Sequence, residues 1–150
     1  MKDKERNRIE EIGKAIVHSA IRVHRSLGPG LRESTYQACL ATDLRRARLR
    51  VDTEVDLPID YRGHRVEVGY RIDMLVEGSV VIENKAVERL LPVHTAQVLT
   101  YLELSDHWLG YLLNWNVTLM KLGIHRFVVG YRYEVNQSGR QATQFRRGHG

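Results

Sequence analysis

The segment RIDMLVEGSVVIENK, Arg71 to Lys85, constrains the chain more than any other. It is two apolar runs rich in β-branched residues, separated by a glycine, and so predicts a β-hairpin. Yet it carries Asp73, Glu83 and Lys85 among residues that belong in a core. Strand side chains alternate faces, so Glu83 and Lys85 share one face and Ile82, Asn84 and Ala86 the other. The place of Asp73 depends on register. A two-residue loop at Glu77-Gly78 sets Asp73 opposite Ile82, on the wrong face. A three-residue loop, Glu77-Gly78-Ser79, pairs Val76 with Val80 and sets Asp73 opposite Glu83; such glycine-containing loops are common. The same register gathers Ile72, Met74, Val76, Val80 and Ile82 on one apolar face, so hydrophobic sorting and carboxylate convergence select it together. Asn84 is the one polar intruder on that face.

Adjacent carboxylates repel and raise each other's pKa unless a cation lies between them. A hard divalent ion meets that need: Mg²⁺ takes one or two carboxylates and completes its shell with water and phosphate oxygens. The main-chain carbonyl of Asn84 is a candidate third ligand. Lys85, on the same face, is placed to hold an attacking water or to offset charge developing on a phosphate. The pattern taken alone also fits a surface hairpin in which Lys85 neutralises Glu83.

Around the hairpin the hydrophobic period changes. Ile9, Ile12, Ile16, Ala20 and Val23 recur at helical spacing from Arg6 to Arg25, and SLGPG stops that helix. A second helix is predicted from about Arg32 to Arg48, with Tyr36, Leu40 and Leu44 on one stripe. Val51 onward reads as strand, with YRGH as a turn. A third helix runs from about Pro92 to Glu103, with Pro92 in its first turn. HWLGYLLNWN and IHRFVVGYRYEV read as the last strands. The expected order is α-α-β-β-β-α-β-β, a mixed sheet with helices packed on it in a single α/β (α+β) domain. Its expected extent is residues 1–136, followed by a basic, mobile polar tail over 137–150.

Gln97 and Tyr101 are four apart and share a helical face. An amide and a phenol there can orient a water or hold a phosphate oxygen, although a half-buried face with Tyr101 in the core reads equally well. His94 is read as a surface residue or one behind the site. Glu33 is an acid in a first helical turn, a placement the helix dipole favours by itself. His24 and Arg25 precede the glycine turn and could approach the site. Trp108 and Trp115 read as packing residues, and Cys39 as part of the core. A lone cysteine excludes an intrachain disulfide and a cysteine-rich zinc site.

No apolar run is long enough to span a bilayer, and the charged start MKDKERNRIEEIG lacks the apolar stretch of a signal peptide. A cytoplasmic location is the default expectation. Net charge is +5, and the tail contributes Arg140, Arg146 and Arg147 without an acid, which leaves +2 for the body. A second basic cluster is Arg45, Arg46, Arg48 and Arg50. This balance suits a phosphate-backbone partner.

GLRESTY (Gly30–Tyr36), RIDMLVEGSVVIENK and AQVLTY (Ala96–Tyr101) together resemble the GxxExxY family of the PD-(D/E)XK nuclease-like superfamily. VHRSLGPG and LGYLLNWN extend the resemblance, which runs from about Ile16 to Val128. It implies a restriction-endonuclease-like core, with a helix, a mixed sheet whose central hairpin bears the catalytic acids, and a following helix. It implies Mg²⁺- or Mn²⁺-dependent hydrolysis of phosphodiesters, with nucleic acid, DNA first, as partner. Asp73 matches the metal-binding aspartate, Glu83 and Lys85 the E-x-K pair, Gln97 and Tyr101 a Q-x-x-x-Y helix motif, and Glu33 a helical glutamate that can complete the site. Asn84 departs from the apolar residue usual at its position. A nuclease fold that grips nucleic acid or protein without turnover is the alternative, and a structural component whose acidic pocket merely binds an ion is a third. A catalytic domain of this size has little surface for choosing a target, so a homodimer or protein partner is expected.

Overall fold

The computed structural model describes residues 2–130; the expected boundary at 136 and the tail lie outside the described residues. Two helices open the chain, α1 (Asp3–Leu27) and α2 (Glu33–Arg46). Strands β1 (Val51–Asp56), β2 (Ile59–Tyr61), β3 (His64–Val66), β4 (Arg71–Val76) and β5 (Val80–Lys85) follow. Helix α3 (Pro92–Ser105) crosses to β6 (Leu109–Asn114), and a short 3-10 turn (Met120–Leu122) leads to β7 (Ile124–Val128). Five strands form one mixed sheet, ordered β1-β4-β5-β6-β7. Only β5 and β6 run parallel, joined through α3; the other neighbours are antiparallel. The fold is the expected α/β architecture of a restriction-endonuclease-like core.

The expected strand order needs one correction. Five strands, not three, precede α3, because β2 and β3 form a separate two-stranded ribbon. Pro58 has no N–H to continue the ladder of β1. The ribbon turns at Arg62 and Gly63, both at positive φ (52° and 83°), between the paired Tyr61 and His64. This two-residue turn of primed type suits the right-handed twist of its strands.

Helices α1 and α2 cover one face of the sheet. Ile9, Ile12, Ile16, Ala20 and Val23 of α1 pack with Tyr36, Leu40 and Leu44 of α2 against Met74, Val76, Val80, Ile82, Leu109, Tyr111 and Leu113. Cys39 packs partly buried against the same cluster. Helix α1 lies close to β6 because Gly13 has no side chain: a Cβ there would fall 2.6 Å from the Tyr111 hydroxyl. On the other face α3 buries Val98, Leu99, Tyr101 and Leu102 against Val81 and Leu112. The central strand β5 is therefore covered on both sides, and its residues from Val80 to Asn84 are all buried. No helix among the described residues is long and apolar enough to cross a membrane.

Candidate active site

The hairpin takes the three-residue loop, with Val76 paired to Val80, Leu75 to Val81 and Met74 to Ile82. Regular pairing stops there, one step before Asp73 and Glu83. Side chains take over from the ladder: the Asp73 N–H donates to Glu83 Oε1 at 3.0 Å, and the Asn84 N–H donates to Asp73 Oδ2 at 2.8 Å. Each acid thus satisfies a main-chain donor that the parting strands would orphan.

Ile72 does not join Met74 and Val76 as expected. It packs in the opposite cluster with Leu57, Val81 and Val98, while Met74 and Val76 stay with α1 and α2. Its β1 partner Val55 packs beside it, whereas Val51 lies in the other cluster. Both strands therefore change faces, β1 around Glu54 and β4 around Asp73. Glu54 carries a positive φ of 53°, a conformation costly for a residue with a Cβ, and the alternation breaks there.

Glu83 is only 2% exposed. Burial, and then the charge of Asp73, push its carboxyl up to about 9. Burial also raises Asp73, opposed by the Asn84 N–H and reinforced by the charge of Glu54. Burial and mutual repulsion thus favour a proton on the pair. Lys85 lies on the Glu83 face of β5, and its charge acts on both acids. Tyr101 approaches from α3: burial raises its hydroxyl, and the charges of Glu83 and Asp73 add to the effect. Gln97 donates to that hydroxyl at 3.0 Å, which leaves the phenolic proton free to point elsewhere. Glu33, in the first turn of α2, is raised by desolvation, then lowered by Lys85 and raised again by Asp73 and Glu54. Asp73, Glu83, Lys85, Tyr101 and Glu33 thus act on one another's charge around the open end of the β4–β5 hairpin, and Gln97 joins them through Tyr101. Among the described residues, no three or more His, Cys, Asp or Glu side chains converge as a ready-made metal cluster.

The other motif residues hold this end of the hairpin in place. Tyr36 accepts the Leu31 N–H and donates to the Gly28 carbonyl, so it closes the glycine turn that starts α2. Its ring stacks on buried Trp115 at 4.9 Å, the planes 4° apart. The Trp115 indole donates to Asn84 Oδ1 at 2.9 Å, which accounts for the polar residue in an apolar position. The Asn114 side chain clamps the loop after Lys85 by accepting the Val87 N–H and donating to the Val87 carbonyl. His94 accepts the Leu91 N–H and caps α3. His24 is buried against the Val117 carbonyl, away from the acids' hydrogen bonds.

The basic cluster lies at the other end. Glu33 begins α2 and Arg46 ends it, a helix of 14 residues, roughly 20 Å at the usual rise. Arg50 sits at the hairpin turn, where its carbonyl accepts the Glu77 N–H. Arg45 is bound to the Val51 carbonyl.

Gln37 and Glu54 were not anticipated. Gln37 donates to Glu54 Oε1 at 2.8 Å and, at 3.4 Å, to the Asp73 main-chain carbonyl. A half-exposed glutamine on a helix looks like surface in any sequence; the one available signal was the buried Asn84, which needed a polar partner.

The sequence model of the PD-(D/E)XK nuclease superfamily matches residues 10–127, from α1 into β7. No curated protein and no solved structure matches. With the acids on the splayed hairpin and that match over most of its length, this chain belongs to the PD-(D/E)XK nuclease superfamily.

Proposed function

We propose that this domain is a metal-dependent nuclease that hydrolyses phosphodiester bonds, in DNA. The observation that carries the reading is the Asp73–Glu83 pair: a buried and a half-buried carboxyl at one hairpin opening, with Lys85 on the Glu83 face. The donor set fits Mg²⁺ or Mn²⁺. One oxygen of each acid is committed to a main-chain N–H, and a divalent ion would take the place of the proton that the pair otherwise holds. In a strand, the N–H and C=O of one residue point to the same side, so the Asn84 carbonyl would face the Asp73 side with its N–H. Glu33, at the start of α2, does not converge with the pair as it stands and would join only by turning toward the bound ion. Bound metal would supply Lewis acidity to the phosphate and to an attacking water.

The chain's own residues have distinct tasks. Lys85 would stabilise negative charge as it builds on the phosphoryl oxygens in the transition state. Tyr101, held by Gln97, would donate its free proton to a phosphate oxygen or a water and so fix its position. The covered sheet behind the acids excludes bulk water and strengthens these charge interactions.

Cleavage of a mixed panel of single- and double-stranded DNA and RNA, with and without Mn²⁺, tests the reading. Wild type should cut in the presence of the ion, and Asp73→Ala should not. Tight binding without cutting under any divalent ion would replace the nuclease with a nucleic-acid binding module.

A further inference from the structure

Trp115 sets the direction of a hydrogen-bond chain that ends at Glu54 and the Asp73 main chain. An indole N–H can only donate, so the Asn84 atom facing it at 2.9 Å is the amide oxygen. The Asn84 amino group then points the other way, to Gln37 Oε1 at 3.2 Å and Met74 Sδ at 3.3 Å. With its oxygen engaged, Gln37 turns its amino group to Glu54 Oε1 and to the Asp73 carbonyl. Each orientation follows from the one before. Flipping either amide would set donor against donor or acceptor against acceptor. The chain starts from a fixed point, since Trp115 is fully buried and stacked on Tyr36. It ends where β1 and β4 change faces.

We propose that Gln37 is a positioning residue of the active site: it ties the Asp73 main chain to Glu54 and so holds the Asp73 carboxylate in register with Glu83. This rests on the metal-nuclease reading. Gln37 acts through Asp73 rather than on substrate. A carboxylate held in one rotamer binds an ion without first losing that freedom, and residues supporting metal ligands typically change metal affinity 10- to 100-fold.

The test is calorimetric titration of Mn²⁺ into the full-length protein without nucleic acid, combined with single-turnover cleavage. Gln37→Met keeps the length and packing of the side chain and removes both amide roles. Gln37→Ala, the residue most favourable to a helix, is a second route to the same loss. Both should weaken Mn²⁺ binding about tenfold or more and lower the cleavage rate at subsaturating Mn²⁺. The KM for DNA should stay within about twofold, since binding is spread over many phosphate contacts. Wild-type Mn²⁺ affinity and cleavage rate in both variants would overturn the positioning role and leave the nuclease standing. Failure of the wild type itself to take up Mn²⁺ would overturn the metal reading, and this proposal with it.

Discussion

The main-chain N–H of Asp73 donates to the carboxylate of Glu83 at 3.0 Å. The two acids therefore do more than face each other. One receives a hydrogen bond that, in an unbroken sheet, would go to a main-chain carbonyl. The site and the end of the ladder are the same feature, so changes to the acids affect both chemistry and folding.

The first consequence concerns pH. Burial and Asp73 raise Glu83 to about 9, whereas an unfolded glutamate titrates near ~4.3. Between those values the folded state holds the extra proton, so stability falls as pH rises. In EDTA the melting temperature should drop by roughly ten degrees or more from pH 5 to pH 9, since about 1.4 kcal/mol per unit of pH is at stake for one group. Glu83→Gln should flatten the slope, and millimolar Mn²⁺ should reduce it. A melting temperature constant from pH 5 to 9 in EDTA would show that Glu83 is not buried as described.

Lys85→Ala should slow single-turnover cleavage in Mn²⁺ by about 100-fold or more, the scale of removing one group that stabilises developing charge. Affinity for DNA, measured in Ca²⁺ to spare the substrate, should change little. If the variant cuts as fast as wild type, Lys85 has no part in the transition state.

The position of the arginine cluster leads to a different expectation. Arg46→Ala and Arg48→Ala alter charge at the end of α2 opposite Glu33. The maximal cleavage rate should be unchanged. Any effect should fall on affinity, with the slope of log affinity against log salt reduced by about one. A lowered rate at saturating DNA would place these arginines nearer the reacting phosphate than the fold does.

Trp115→Phe keeps a ring to stack on Tyr36 but removes the only partner of Asn84 Oδ1 among the described hydrogen bonds. A buried acceptor left unsatisfied costs about 1–3 kcal/mol, to be read from the denaturant midpoint. Gly123→Ala should cost at least as much, because its Cβ would collide with the Asn114 carbonyl oxygen, a main-chain atom that cannot step aside. A midpoint equal to wild type in either variant would contradict the packing around β6.

The sequence made the hairpin legible because its apolar residues admit one register, and Val76 does pair with Val80. Gln97 and Tyr101 were readable from helical spacing, and they meet at 3.0 Å. Ile72 was misplaced because strict alternation assumes an uninterrupted strand, and nothing in the letters of VDTEVD announces a positive φ at Glu54. The β2–β3 ribbon was merged with its neighbours because periodicity marks strands without saying which sheet they join. The partners of Asn84 were hidden because Gln37 and Trp115 come from opposite halves of the chain.

Those sequence separations bear on the order in which the site assembles. The Asp73–Glu83 contact closes across 10 residues, but Asn84 reaches Gln37 across 47 and Trp115 across 31. Short loops close early and at low entropic cost; contacts between distant segments wait for the rest of the chain. The hairpin acids can therefore meet while the chain is still incompletely folded, and the brace behind them arrives only when β6 docks beside β5. In pulse-labelled hydrogen exchange during refolding, the amide of Met74, paired to Ile82 within the hairpin, should gain protection before that of Trp115, which donates to the Lys85 carbonyl from the end of β6.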